Sequence, residues 1–361
     1  MTTNLRSSFV IRHSSFALHS GFGFRASGLL LLLLIFSAFS PPPTAHCDVI
    51  LGTRVSQADL GGYVVPAGKV LDLGGETVRI SSPITCYGTI RNGTIDATAL
   101  EQFEGAIYLP KESKGATIEQ ITVRGGSYND LAKVWGSGAR ILGCSIAERT
   151  GWGVQILGAD DGIISGWKQV NSIRGGIYFG DGTGYGTKTE CLGWLVEKST
   201  LINSRDEAVF RANTARNLMV RDCFFDNTQS DSGKEAVQPR GRDMTFERCV
   251  IVGSTSSGQQ PNGVWQLASV KFSECTIYGY NSIEAGGSVT FIRSLLIHRP
   301  SWVYNGKTYT LKTPGNGCVV NPQSAARNLP DGKAVLQNCT MDAKELTKSP
   351  RRVTTENLKK K

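Results

Sequence analysis

One six-residue pattern recurs in this chain, as Val196-Glu-Lys-Ser-Thr-Leu201, Val220-Arg-Asp-Cys-Phe-Phe225, Phe246-Glu-Arg-Cys-Val-Ile251 and Phe272-Ser-Glu-Cys-Thr-Ile277. Each copy has an apolar residue, two polar residues, a small residue and an apolar end. A looser fifth copy is Phe291-Ile-Arg-Ser-Leu-Leu296, and the five small residues stand 24, 26, 26 and 19 positions apart. A period in the twenties with strand-forming residues predicts a solenoid, in which each coil buries the apolar face of the next.

A second apolar run lies between successive copies, as in Glu207-Ala-Val-Phe-Arg211, Glu235-Ala-Val-Gln-Pro239 and Gly263-Val-Trp-Gln-Leu267. These runs are short, contain β-branched and aromatic residues, and are bounded by Gly, Asn, Asp and Ser, so each coil holds at least two strands. The regularly spaced leucines of leucine-rich repeats and the three-and-four spacing of helical repeats are absent. The sequence therefore predicts an all-β, single-stranded parallel β-helix.

The ends of the chain differ from this repeating region. Residues 1–47 have three arginines, no acidic residue and an apolar run too short to span a bilayer, which predicts an export signal. Residues 48–345 form the predicted solenoid domain, with an N-terminal cap in residues 48–101 that covers the first coil. Residues 346–361 are polar and basic and are predicted to be disordered. The mature protein is therefore predicted to be secreted, periplasmic or at the cell surface, without a transmembrane helix.

The chain is basic, with a formal net charge of +9, of which the arginines of the predicted signal supply three. Ordinary solubility is one interpretation of this charge, and attraction to an anionic polymer is the other. Because an exported protein rarely meets nucleic acid, the expected polymer is an acidic polysaccharide, rich in uronate or sulfate.

The small position of the pattern is occupied mainly by cysteine, at Cys144, Cys223, Cys249, Cys275 and Cys339. A residue at one fixed place in every coil points the same way in each, so these side chains are predicted to form an internal stack. Three cysteines in consecutive coils cannot all pair with one another, which favours packing over disulfide bonds. No Cys or His spacing typical of a zinc site occurs.

Aligning the second runs by their aliphatic residues gives a column of rings and amides: Tyr108, Gln155, Tyr178, Phe210, Gln238 and Trp265. Strand side chains alternate, so residues that follow inward aliphatic residues face outward. Rings stack on pyranose faces and amides bond hydroxyls. Tyr178, Phe210, Gln238 and Trp265 are therefore predicted to bind a sugar chain, and the alternative is that they only cover a flat sheet.

Charged residues flank this column in the middle coils. Elimination at a uronate needs a base for the C5 proton, a cation or metal at the carboxylate, and an acid for the leaving oxygen. The candidate catalytic residues are Arg211, Arg240 and Lys234. Glu207 and Glu235, aligned in neighbouring coils about 5 Å apart, are candidate ligands for Ca²⁺. The alternative is a set of solvated turns with ion pairs between coils.

The entry Tyr63-Val-Val-Pro-Ala-Gly68, the segment Ile90-Arg-Asn-Gly-Thr-Ile-Asp96 and the pattern from Ile141-Leu-Gly-Cys-Ser-Ile146 onward resemble right-handed β-helix proteins of the pectate-lyase-like superfamily. The resemblance implies a right-handed coil over roughly residues 60–345. Lyases, hydrolases, esterases, tailspikes and adhesins share that fold, so it does not specify an activity.

The segments around Glu207 and Glu235 are loosely similar to paired coils of the alginate lyase and chondroitinase B family. That similarity implies glutamate ligands for Ca²⁺ and a Lys and an Arg that carry out the elimination. Clear Asn-Lys-Ser and Arg-His segments of that family are absent, and Val237-Gln-Pro-Arg-Gly-Arg242 lacks the first Arg of the pectate lyase motif. The leading hypothesis is a polysaccharide lyase, and the alternative is a non-catalytic binding or adhesion module. A glycoside hydrolase using Asp160 and Asp161 is disfavoured, because the other polygalacturonase motifs are missing.

Overall fold

The computed structural model describes residues 49–51, 59–126, 128–147, 151–180, 190–230, 235–257, 268–311, 318–324 and 329–361. The predicted export signal lies outside these residues. Within them, two large parallel sheets, sheet A and sheet B, account for nearly all regular structure. The predicted parallel β-helix is confirmed.

Sheet A contains two stacks of strands, one on each side of a bend in every coil. The first stack holds Val49–Leu51, Val70–Asp72, Thr89–Asp96, Thr117–Arg124, Arg140–Leu142, Ile163–Ser165, Leu195–Glu197, Met219–Arg221, Met244–Glu247, Ala268–Ser273, Gly287–Ile292, Lys333–Gln337 and Val353–Glu356. The second holds Thr77–Arg79, Ser145–Ile146, Lys168–Ser172, Thr200–Ser204, Phe224–Asp226, Val250–Val252, Thr276–Tyr278, Leu295–His298, Thr340–Ala343 and Lys359–Lys360. Thr89–Asp96 and Thr117–Arg124 run through the bend and belong to both stacks.

Sheet B is formed by the second apolar run of each coil. Its strands are Val64–Val65, Ile84–Cys86, Gly105–Leu109, Asp130–Val134, Trp152–Leu157, Gly175–Gly180, Phe210–Ala212, Val237–Pro239, Thr255–Ser257, Asn281–Ile283 and Val320–Pro322. Two smaller pairs accompany the large sheets. Cys191–Leu192 pairs with Ala215–Arg216, and Ser301–Tyr304 forms an antiparallel hairpin with Lys307–Thr310.

The bend in sheet A is made by one residue in the left-handed conformation, directly before the small position. Lys198, Asp222, Arg248, Glu274 and Arg293 all have φ between 46° and 56°. The small residue then donates to the carbonyl two residues earlier: Ser199 Oγ to Glu197 O at 2.8 Å and Cys249 Sγ to Glu247 O at 3.4 Å. Both cysteine and serine occur at this position because both are compact side chains that can donate this bond.

The cysteine stack is confirmed. Cys144, Cys223, Cys249, Cys275 and Cys339 are buried and free, as are the other cysteines that the structure describes. Burial raises the pKa of the Cys144 thiol to about 12, so this thiol stays protonated at neutral pH. These side chains pack among the apolar residues between the two sheets.

The prediction of a disordered C-terminal tail is wrong. Val353–Glu356 pairs with Lys333–Gln337, and Lys359–Lys360 pairs with Thr340–Ala343. A short 3₁₀ helix, Pro350–Arg352, precedes these strands. The exposed edge of the previous coil offers unpaired backbone groups, and the tail covers them despite its basic composition.

The N-terminal cap stays a prediction. Val49–Leu51 pairs with Val70–Asp72, but residues 52–58 lie outside the described ranges. Among the residues that the structure describes, no helix has the length and hydrophobicity needed to cross a bilayer.

The alignment that placed Phe210 on the outer face is wrong by one residue. The sheet pairs Ile177 with Phe210 and Phe210 with Val237, so Phe210 belongs to the inward column. Its ring is fully buried and lies 6.0 Å from the ring of Phe179, 5.4 Å from that of Phe225 and 5.8 Å from that of Phe246. A one-residue slip exchanges the two faces of a strand, and the large apolar ring gains most by facing the core.

We expect Cys249→Asp to lower the free energy of unfolding by several kcal/mol, because it places a carboxylate among buried apolar neighbours. Cys249→Ala should cost about 1 kcal/mol, since it removes one sulfur atom and one weak hydrogen bond. Denaturant unfolding of the two variants and the wild type measures both values. Equal and negligible effects would contradict the internal stack.

We expect Phe210→Ala to lower the free energy of unfolding by about 3–5 kcal/mol, as for a buried ring in a close-packed core. Its neighbour Arg211 faces outward, so Arg211→Ala should cost about 1 kcal/mol or less. The same denaturant experiment compares the two variants. A larger loss for Arg211→Ala than for Phe210→Ala would show that the observed register is incorrect.

Candidate functional site

The outer face of sheet B carries one continuous column of side chains. Successive backbone pairs place Tyr108 beside Lys133, then Gln155, Tyr178, Arg211 and Gln238. Of the residues predicted to bind sugar, Tyr178 and Gln238 therefore lie on this face. Trp265 lies outside the described residues, and Arg211 stands where Phe210 was expected.

The predicted column of glutamates is also shifted. Because Phe210 pairs with Val237, Glu235 aligns with Ala208 rather than with Glu207. The two glutamates still flank adjacent strands, beside Arg211 and Gln238. Lys234 lies outside the described residues, so its predicted catalytic role is untested.

Arg211 is held by a local network. Its Nη1 lies 3.0 Å from Oε2 of Glu207, and its Nε donates to Oδ1 of Asn213 at 3.2 Å. The guanidinium carbon also lies 5.8 Å from the centre of the Tyr178 ring. A guanidinium fixed at three points presents its remaining N–H groups to a ligand in a defined direction.

Arg240 lies one coil further, two residues beyond Gln238. Its Nη2 is 3.8 Å from Oε1 of Glu284, and burial, together with the positive charge of Arg211, lowers the pKa of Arg240 below the usual arginine value. Glu284, Glu235 and Glu207 oppose this shift. The site thus combines one arginine in a close ion pair with a second, similarly buried arginine whose carboxylate partner is further away.

Two buried polar atoms beside these arginines have no hydrogen-bond partner among the described residues. They are Oε1 of Gln238, whose residue is 4% exposed, and Nε of Arg240. The amide nitrogen of Gln238 is used, because it donates to Oε2 of Glu235 at 2.7 Å. An unused acceptor and an unused donor on one buried patch cost free energy unless a ligand or water satisfies them.

Tyr178 provides a flat aromatic surface next to Arg211. Its ring stacks on Trp152 with a centroid distance of 4.8 Å and an angle of 25°. It also lies against the α-carbon of Gly180, where an added Cβ would come within 2.3 Å of a ring carbon. Glycine at this position therefore leaves room for the Tyr178 ring to pack against the sheet, as a sugar-stacking surface requires.

The arrangement does not provide a ready Ca²⁺ site. Calcium takes six to eight oxygen ligands, whereas Glu207 is paired with Arg211 and Glu235 with the amide of Gln238. Within the described ranges, no three Asp, Glu, His or Cys side chains are grouped as metal ligands. Ca²⁺ binding stays a prediction, and the mechanism below uses no metal.

The strand Asp130–Val134, whose Lys133 occupies the outward column, was not predicted from the sequence. Asp130 is buried beside it and accepts a hydrogen bond from Nε2 of Gln155 at 2.5 Å. Burial raises the pKa of Asp130 to about 8, although the charge of Lys133 opposes the shift. The sequence signal was the short run Asp130-Leu-Ala-Lys-Val134, in which a cation follows Ala132 where neighbouring coils carry a ring or an amide.

We expect the stability of the protein to fall as pH rises from about 4 to about 8. The unfolded chain loses the Asp130 proton near pH 4, whereas the folded chain keeps it until about pH 8, so the unfolded state binds fewer protons in this window. One such group contributes a slope of up to about 1.4 kcal/mol per pH unit. Asp130→Asn should flatten this slope in denaturant unfolding. The same slope in both proteins would contradict the buried carboxyl.

Comparison with known proteins gives a likeness in structure only. No protein-family model matches the chain, and no curated protein matches it in sequence. The surface adhesin PfbA of Streptococcus pneumoniae is 9% identical, with a TM-score of 0.51 over 82% of this chain and 80% of the adhesin.

Two further solved structures are less similar. ORF18 of Geobacillus virus E2 is 11% identical, with a TM-score of 0.45 over 86% of this chain and 60% of that protein. An alginate lyase from Paenibacillus sp. str. FPU-7 is 12% identical, with a TM-score of 0.41 over 84% of this chain and 97% of the lyase. At these identities only the fold is shared. The chain has the right-handed parallel β-helix fold that its sequence predicted.

Proposed function

We propose that this protein is exported, binds an acidic polysaccharide across the outer face of sheet B, and cleaves it by β-elimination. The observation that carries the proposal is the pair of unsatisfied buried atoms, Oε1 of Gln238 and Nε of Arg240, beside the guanidinium of Arg211. Once the two side chains turn toward a bound sugar chain, a hydroxyl would donate to the first atom and a carboxylate would accept from the second. A ring of the same chain would stack on Tyr178.

The two arginines differ in the way that elimination requires. Arg211, ion-paired with Glu207, would neutralise the uronate carboxylate, which makes the proton on C5 more acidic. Arg240 has the lowered pKa, so its neutral form is more accessible and would take that proton. The C5 electron pair forms the double bond to C4, the bond from C4 to the glycosidic oxygen breaks, and water protonates the leaving oxygen.

The second candidate is a binding or adhesion module that uses the same face without cleavage. It is favoured by the ion pairs of Arg211 with Glu207 and of Arg240 with Glu284, because carboxylates this close stabilise the protonated guanidinium. A protonated arginine binds an acidic sugar but removes no proton. The two candidates therefore share a binding surface and differ in one measurable product.

We expect the full chain to generate an unsaturated, ultraviolet-absorbing product from at least one of alginate, polygalacturonate and chondroitin sulfate, assayed with and without Ca²⁺. Binding is measured in parallel by the retardation of the protein in gels that contain each polymer. Retardation without product would support the binding module, and neither retardation nor product with any of the three polymers would overturn both candidates.

The double variant Arg211→Ala/Arg240→Ala should lose at least about a thousandfold in rate, because it removes both the cation at the carboxylate and the base. A matched control is Arg248→Ala/Arg293→Ala, which removes two ion-paired arginines at the bend of sheet A. Circular dichroism checks that both variants fold. Full activity in the Arg211→Ala/Arg240→Ala variant would place the chemistry elsewhere.

A further inference from the structure

Two aromatic residues near the start of sheet B have an unusual backbone conformation. Phe103 has φ of 66° and Tyr128 has φ of 62°, and every other non-glycine residue described with positive φ is polar. The left-handed region costs a residue with a Cβ roughly 1–2 kcal/mol, and it is rare for bulky side chains. Phe103 is nonetheless 48% exposed, so burial of its ring does not offset the cost.

The turn that carries Phe103 is fixed by side chains from the next coil. Nζ of Lys133 donates to the carbonyl of Phe103 at 2.6 Å, and Nδ2 of Asn129 donates to the carbonyl of Glu101 at 2.5 Å. Both donors are buried. The protein therefore uses buried polar groups to keep an exposed ring in a strained turn, which is a pattern typical of functional surfaces.

Arginines surround the two rings. The guanidinium of Arg174 lies 5.0 Å from the centre of the Phe103 ring, which is 5.3 Å from the ring of Tyr128. Nη2 of Arg205 donates to the Tyr128 hydroxyl at 3.0 Å, while its charge is paired with Asp206. Among the described residues, no carboxylate lies within ion-pair distance of Arg174. We call Phe103, Tyr128, Arg174 and Arg205 the aromatic–arginine patch; it combines exposed ring surface with one guanidinium, that of Arg174, that has no direct ion pair among the described residues.

We propose that the aromatic–arginine patch is a remote subsite for an acidic sugar of the polysaccharide bound at Arg211 and Arg240. This inference rests on the proposed function. An aromatic ring offers a stacking surface for a pyranose, and Arg174 offers a charge for its carboxylate or sulfate. Neutral sugars would lack the second contact, so the patch would favour an anionic chain.

The distance between the aromatic–arginine patch and the site at Arg211 and Arg240 determines how long a sugar chain must be to contact both. The patch extends over several coils. Phe103 precedes Gly105–Leu109, which is five steps of sheet B, or about 24 Å, from Val237–Pro239, whereas Arg174 and Arg205 precede strands that are two steps and one step away. The column of Lys133, Gln155 and Tyr178 lies along this path. A disaccharide bound beside Gln238 and Arg240 cannot also contact the coil of Phe103, whereas a polymer can.

Phe103→Gly and Tyr128→Gly test the proposal without straining the fold, because glycine adopts positive φ freely. The probe is whichever of alginate, polygalacturonate and chondroitin sulfate retards the wild type, together with the disaccharide of that polymer. We expect each variant to bind the polymer about tenfold more weakly, to bind the disaccharide as the wild type does, and to unfold at an unchanged or higher denaturant concentration. Arg174→Gln should weaken polymer binding and reduce its dependence on salt.

A purely structural role predicts the opposite result. If the rings only pack on each other and on Arg174, both glycine variants lose stability and keep the affinity of the wild type, which would overturn the subsite. Val303→Ala, which shortens an exposed apolar side chain on the hairpin, is the matched control and should change neither quantity. If Arg211→Ala/Arg240→Ala abolishes binding while the glycine variants bind normally, the subsite alone is wrong. Absence of wild-type binding to all three polymers removes both proposals.

Discussion

The bend of sheet A turns at one left-handed residue, and from Lys198 onward a hydrogen bond from the next side chain, a serine or a cysteine, holds that turn. The conformation costs about 1–2 kcal/mol at a non-glycine residue, and one thiol or hydroxyl bond returns about 1 kcal/mol at most. The bend is therefore not stable alone. It persists because strands on both sides pair with the coils above and below, as Val220 does with Val196 and with Phe246. Pairing with the adjacent coils therefore stabilises the bend, and the bend in turn places the two strands of each coil in register with those coils.

The same bend aligns charged residues at the spacing of neighbouring strands. Asp222 pairs with Arg248, and Glu274 pairs with Arg293, so opposite charges face each other at successive turns. Exposed pairs of this kind contribute at most about 1 kcal/mol each, but like charges at this spacing would oppose stacking. Ion pairs between coils thus occur at the bend, in addition to the predicted type of pair beside sheet B, where Arg240 lies near Glu284.

Sheet A could be predicted from the sequence because its two strands and the bend between them have a fixed length. Cys223, Cys249 and Cys275 consequently occupy the same place in the pattern of each coil. The path from the second stack of sheet A to sheet B varies in length from coil to coil. The strands of sheet B could therefore be aligned only by the similarity of short segments and not by a constant repeat length. Val209 and Val237 are the same residue type, so aligning them was plausible. In the structure, however, Phe210 pairs with Val237 and its ring faces the core. That slip misplaced one ring and hid the alignment of Arg211 with Tyr178 and Gln238. The paired tail was missed because composition does not reveal an open sheet edge.

The candidate site lies where the repeat is weakest, and a physical reason connects the two. In sheet A, each outward residue lies beside the residues at the same position in the two adjacent coils. These neighbours form ion pairs or hydrogen bonds with one another. In sheet B, loops of different length bring unlike residues side by side, such as Arg211 beside Tyr178 and Gln238. Some polar atoms then remain without partners inside the protein, as at Gln238 and Arg240. In a solenoid, the regular columns stabilise the stack, and a column that departs from regularity keeps hydrogen-bonding capacity for a ligand.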